Sequence, residues 1–215
     1  MRYLLTHLDD AWALTVIHLR LSLIPIVLGL LIAVPLGALI QRTTTLRRLT
    51  TITASIIFTI PSLALFVVLP LIIPTRILDE ANVIVALTLY TTALLVRAVP
   101  EAVRDAATAV GYKPVIRMLK VELPLSIPVL VASLRVIAVT NISMVSVGSV
   151  IGIGGLGTWF TEGYQNDKSD QIIAGIIAIF VLAIVIDTLI MLVGRLLTPW
   201  TRVSRVNRPK VKAAA

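Results

Sequence analysis

Cysteine is absent from the 215 residues, so neither a disulfide nor a thiolate metal site can form. Histidine occurs only twice, at His7 and His18, far from any metal-ligand spacing. No G-x-x-x-x-G-K-[ST] run is present, so the chain lacks the loop that cradles nucleotide phosphates. With both histidines near the N-terminus, no Ser-His-Asp arrangement is suggested, and no catalytic residue, metal site or cofactor is predicted for this chain. Charge is scarce as well. Only 14% of residues are Asp, Glu, Lys or Arg, against about 25% in an ordinary soluble domain.

Hydrophobic residues make up 58% of the chain and the mean hydropathy is +1.00. A soluble core of this size cannot absorb that excess, and run length shows where it goes. No charged residue lies between Arg20 and Arg42, between Arg48 and Arg76, or between Arg135 and Glu162. A membrane-crossing helix needs roughly 20 apolar residues, and each run is long enough. The shorter stretches Ala81–Val96 and Gln171–Ile186 reach that length if they continue to Arg97 and Arg195. The first run is too long for a signal-peptide core. The net charge of +8 does not indicate nucleic acid, because the basic residues sit between apolar runs with no aromatic-interleaved basic surface.

The expected fold is therefore all-α: a polytopic membrane protein of about five helices, near Leu21–Ile40 (or from Ala13), Thr51–Ile73, Asn82–Val96, Leu125–Ile151 and Gln171–Leu197. Pro25, Pro35, Pro61, Pro70 and Pro128 lie inside these spans and predict bends. One side receives Arg42, Arg47, Arg48, Arg97, Arg104, Lys113, Arg117, Lys120 and the basic tail. The other has only Arg2, Arg20, Arg76 and Lys168 among seven carboxylates. The positive-inside rule puts the first side in the cytoplasm, the N-terminus outside and the C-terminus inside. Residues 1–200 form one transmembrane domain, and 201–215 a basic cytoplasmic tail expected to lie disordered near anionic headgroups. Leu4, Leu5, Leu8 and Trp12 recur at roughly helical spacing before the first span, as in a short interfacial helix; a loose tail is the alternative.

One loop is too long and too patterned to be a connector. Residues 97–124 include Glu101–Val110, a candidate helix with acidic residues in its first turn, narrow through its alanines, and followed by Gly111. A second helical stretch, Pro114–Val121, precedes Leu123-Pro124. Here Asp105-Ala106-Ala107, three residues, Gly111, nine residues and Val121-Glu122-Leu123-Pro124 resemble the coupling loop of binding-protein-dependent ABC importer permeases. That family's pattern is Glu-Ala-Ala, three residues, Gly, nine residues, Ile, one residue, Leu-Pro; Asp105 and Val121 depart from it conservatively.

The resemblance extends to His18-Leu19-Arg20-Leu21-Ser22-Leu23, Thr59-Ile60-Pro61-Ser62-Leu63-Ala64-Leu65 and Ile151-Gly152-Ile153-Gly154-Gly155-Leu156-Gly157. These are similar to the osmoprotectant branch, which imports glycine betaine, choline, carnitine or proline betaine. The resemblance implies a type I importer permease working by alternating access. Separate ATPase subunits would bind the ATP and Mg. The other partners would be a second permease subunit, identical or paralogous, an extracytoplasmic substrate-binding protein and the lipid bilayer. Glu101, Asp105, Ala106, Ala107, Gly111, Leu123 and Pro124 would couple the chain to the ATPase. A self-sufficient secondary transporter or channel is the alternative, but such proteins usually show paired halves, which the chain lacks.

Pro61, Ser62, Asn141, Ser143 and Ser146 are candidates for the translocation path, although a kink and interhelical hydrogen bonding explain them as well. The Gly148–Gly157 stretch suits close helix approach better than ligand contact. Tyr90, Trp159 and Phe160 read as interfacial anchors rather than as cation–π partners of a quaternary ammonium. Two charges sit inside spans. Arg135 is roughly 16 Å from the Pro124 end of the fourth span, and Asp187 roughly 12 Å from the Arg195 end of the fifth, by the helical rise. Unpaired charges at such depth are unfavourable, and these two lie at matched levels on consecutive antiparallel spans, so they are expected to pair.

Overall fold

The computed structural model describes residues 2–40, 43–96, 116, 121 and 123–200, and the described residues are helical or in short connections, with no strand. The chain opens with α1 (Arg2–Thr6) and α2 (Leu8–Ile40). The anticipated interfacial helix is thus only five residues long. Residues 8–20 contain no helix breaker and continue straight into the first span, with Asp9 and Asp10 favourably placed at the positive end of the helix dipole. At 33 residues α2 is the longest element, and it runs on through Pro25 and Pro35.

Pro61 acts differently. α3 (Thr44–Thr59) starts on Thr43, whose side chain accepts the Leu46 N–H, and stops at Ile60. Pro61 offers no N–H and pushes the residue before it out of the helical region. Ile60 and Pro61 are accordingly extended, with ψ of 126° and 134°. α4 (Ser62–Val68) and a 3₁₀ turn (Leu69–Leu71) then leave at 93° to α3. The second span is broken rather than bent.

α5 (Glu80–Leu95) is capped by the Asp79 carboxylate, which accepts the Ala81 N–H at 2.9 Å. It is the most enclosed helix: Val83, Ala86, Leu87, Tyr90 and Thr91 are all buried. α2 lies against it so closely that a Cβ on Gly29 would come within 2.4 Å of the Thr91 methyl, and an Arg20–Glu80 ion pair ties the N-terminal end of α5 to the body of α2. α6 (Leu123–Gly148) continues as a 3₁₀ turn (Ser149–Ile151). After a glycine-rich loop come α7 (Gly157–Gln165), which sequence reasoning did not anticipate, and α8 (Ser169–Leu197).

Two apolar clusters hold this arrangement. In one, Ile26 and Ala33 of α2 meet Ile137, Ala138 and Ile142 of α6 and Leu182 and Ile186 of α8. In the other, Phe66 of α4 and Val83, Leu87 and Tyr90 of α5 close on Leu21 of α2 and Val145 of α6. Among the described residues three helices, α2, α6 and α8, are long and apolar enough to cross a bilayer alone, and the α3–α4 pair makes a fourth crossing if it counts as one. α5 has 16 residues, about 24 Å by the helical rise, short of the roughly 30 Å hydrocarbon core. Length alone therefore yields three or four crossings where five were expected. The fifth segment is apolar but short, and it is sheathed by its neighbours.

Candidate functional site

The polar groups inside this apolar frame gather where helices meet. At the α3–α4 break the Ile60 carbonyl has lost its helical partner, and the Tyr90 hydroxyl of α5 donates to it at 2.5 Å. The Tyr90 ring also meets Phe58 edge-on, with centroids 5.5 Å apart. The break around Pro61 and Ser62 is thus braced from α5, and Tyr90 is a buried strut rather than an interfacial anchor. Trp159 is buried too, with its ring edge-on to Tyr3 of α1. Of the three aromatics only Phe160 is exposed.

The candidate path residues of α6 turn in different directions. Asn141 is buried, and its amide donates to the Ser22 carbonyl of α2 at 3.3 Å and to the Thr91 hydroxyl of α5 at 3.2 Å. It joins three helices. Ser143 faces outward, and the Ser146 hydroxyl turns back to its own helix, toward the Ile142 carbonyl at 3.4 Å. The structure does not bring Asn141, Ser143 and Ser146 onto one face.

One residue that sequence reasoning set aside is central here. His18 of α2 is wholly buried. Its Nε2 lies 2.9 Å from the Ile142 carbonyl of α6, and its Nδ1 lies 3.2 Å from the Leu156 backbone nitrogen. A carbonyl only accepts and a backbone N–H only donates, so the partners assign the neutral tautomer with the proton on Nε2. The imidazole therefore pins the glycine-rich loop to α2 and α6. That loop turns on Gly152 and Gly155, with φ of +81° and +110°, conformations that favour glycine. Gly155 also backs directly onto the ring, where an added Cβ would sit 3.0 Å from Nδ1. The signal was available in the sequence: a histidine amid apolar residues must satisfy both ring nitrogens somewhere.

Arg135 of α6 and Asp187 of α8 form a two-pronged ion pair. Nε donates to Oδ1 at 2.8 Å and Nη2 to Oδ2 at 2.7 Å, the fork geometry that suits guanidinium and carboxylate. The helices approach closely one turn along α6 and two turns along α8 from the pair, where a Cβ on Gly194 would meet the Val131 side chain at 2.3 Å. Of the coupling-loop residues, Leu123 and Pro124 open α6, a first-turn position where proline is tolerated. Glu101, Asp105, Ala106, Ala107 and Gly111 lie outside the described residues, as does the tail 201–215.

Among the described residues, this arrangement holds helices at fixed and jointed positions. Known proteins show what such a framework belongs to. The chain is 33% identical over 189 residues to the choline transport system permease protein OpuBB of Bacillus subtilis, covering 85% of this chain and 86% of that one. It is 33% identical over 211 residues to the osmoprotectant import permease protein OsmW of Salmonella typhimurium, covering 93% and 97%. Among solved structures, a chain of the MetNI methionine ABC transporter in an inward-facing conformation superposes with a TM-score of 0.74 at 22% identity, over 89% of this chain and 95% of that one. Residues 25–203 match the family described as binding-protein-dependent transport system inner membrane component. The chain belongs to that family and is a multi-pass permease subunit of the inner membrane.

Proposed function

We propose that this chain forms the path of an ATP-driven importer for a quaternary-ammonium or zwitterionic osmoprotectant such as choline or glycine betaine. What carries the reading is near end-to-end similarity to permeases named for choline and osmoprotectant import. Two permease copies, identical or paralogous, enclose the path. A loaded binding protein docks outside, and two ATPase subunits act on residues 97–124. ATP-driven closure of those subunits opens the path outward, and hydrolysis returns it inward. Reconstituted transporter, with its ATPase and binding protein, should accumulate labelled choline or glycine betaine in an ATP-dependent way. Uptake driven by an ion gradient without ATPase subunits would establish the secondary-transporter reading instead.

The distribution of Lys and Arg supports an N-terminus outside and a C-terminus in the cytoplasm. Because the chain has no cysteine, an introduced thiol is its sole reactive one. A cysteine at Lys113 should resist an impermeant reagent added to intact cells and react in inverted vesicles. Labelling from outside would reverse the topology.

The pattern around Asp105 supports a docking role for residues 97–124. Ala106→Leu widens a helix expected to be narrow, and Gly111→Val puts a β-branched side chain where a left-handed cap is expected. Both variants should insert into the membrane and bind the ATPase, yet lose most transport per ATP hydrolysed. Wild-type uptake by both in proteoliposomes would remove the loop from the mechanism.

A further inference from the structure

A cavity of about 530 Å³ lies between α2, α3 and α5, within the size range of small-molecule sites. Along α5 it runs from Ile84 to Val96, about 18 Å by the helical rise. It is therefore a slot parallel to the helices rather than a bowl. Leu28, Ile32 and Leu36 of α2 line one wall, and Ala54 and Ile57 of α3 another. Threonines also border it, but Thr50 and Thr88 donate their hydroxyls to Leu46 and Ile84 of their own helices, at 2.9 and 2.6 Å. These two present methyl to the slot, while the Thr92 hydroxyl, also on its wall, is buried without a hydrogen-bond partner among the described residues. No charged side chain borders the slot, so a cationic or zwitterionic solute would find no counter-charge there.

The charge lies just beyond one end. Arg47, Thr50, Ala54 and Ile57 recur at helical spacing and share one stripe of α3. Arg47 thus extends the lining stripe by a turn, with Arg48 beside it, both exposed. Long side chains on a helix lean toward its N-terminus, here away from the apolar slot and toward the membrane surface. A slot of hydrocarbon ending under two guanidinium groups has the chemical layout of a phospholipid with an anionic head.

We propose that this slot is a binding site for an anionic phospholipid, one acyl chain lying between α2, α3 and α5 and the phosphate facing Arg47 and Arg48. A second copy of the chain fits the slot less well. A two-fold contact places the same patch of both subunits together, which would set these arginines against their own copies.

The test uses the assembled transporter in nanodiscs containing phosphatidylglycerol and phosphatidylcholine, with bound lipid read by native mass spectrometry. The wild-type complex should retain phosphatidylglycerol in at least several-fold preference. Thr53→Trp, filling the slot from its exposed edge, should abolish retention. Arg47→Gln with Arg48→Gln should keep a bound lipid but lose the head-group preference. Independently of any variant, phosphatidylglycerol carrying a photoreactive acyl chain should label peptides within residues 44–59 and 80–96. Undiminished phosphatidylglycerol in the Thr53→Trp complex, labelling elsewhere only, or self-crosslinking of Thr53→Cys copies in place of lipid labelling would each overturn the proposal.

Discussion

Replacing His18 by phenylalanine is expected to destabilise the purified protein by about 1–3 kcal/mol, the cost of leaving a buried backbone donor unmade. The ring volume is kept, so a cavity is not the cause. What is lost is the acceptor for the Leu156 N–H and the donor to the Ile142 carbonyl. His18→Gln carries one donor and one acceptor and should recover part of the loss. Gly155→Ala should destabilise in the same direction, because its Cβ would press on Nδ1 from 3.0 Å at a φ that disfavours a side chain. Both changes strike one contact, so their effects should combine to less than their sum. Equilibrium unfolding in mixed micelles measures the wild type, the three single variants and the His18→Phe, Gly155→Ala double variant. If the phenylalanine variant matched wild type, the bridge would hold nothing, and the loop's position would have to come from its glycines alone.

The second large effect belongs to Arg135 and Asp187. Arg135→Gln and Asp187→Asn are each expected to lower stability more than the two changes together, because a single change strands one charge within a membrane span while the double change strands none. The four proteins form a thermodynamic cycle. Strictly additive losses would mean that the two hydrogen bonds of 2.8 and 2.7 Å bring no net coupling. If the double variant folds, its uptake then tells whether the pair is a fixture or a contact remade during transport: near wild-type uptake means a fixture.

Run length located the apolar segments because the bilayer imposes one dimension on every crossing: helices overlap all five expected spans, but Thr51–Ile73 is broken at Pro61 and the helix within Asn82–Val96 is too short to cross alone. Arg135 and Asp187 could be singled out from one dimension as well, since depth is countable along each helix. Contacts at large sequence separation were not legible in this way. Pro25 and Pro61 look alike in the sequence, yet only Pro61 breaks its span, and the freed Ile60 carbonyl is met by a hydroxyl 30 residues away. His18 bonds to partners 124 and 138 residues distant, so its apolar neighbours along the chain signal that its ring needs partners but not which ones. Asn141 could be read as a path residue or a helix tie, and only the position of α5 separates the two. α7 was missed because nine residues entered through a glycine are too short to register as a span.

The right angle at Pro61 has a mechanical side. α3 and α4 are two short rods meeting at an elbow, and the pin in that elbow is the phenol of Tyr90, carried on a third rod. An unbroken helix passes a push along its length. An elbow converts it: pivoting α3 by 5 degrees about its Thr44 end would carry the Ile60 end sideways by about 2 Å over the roughly 24 Å of the helix. Directed along the bond, that displacement would stretch the 2.5 Å contact beyond hydrogen-bond range, so Tyr90 must then either travel with the elbow or let go. Whether the pin follows or releases decides whether a movement of α3 reaches α5.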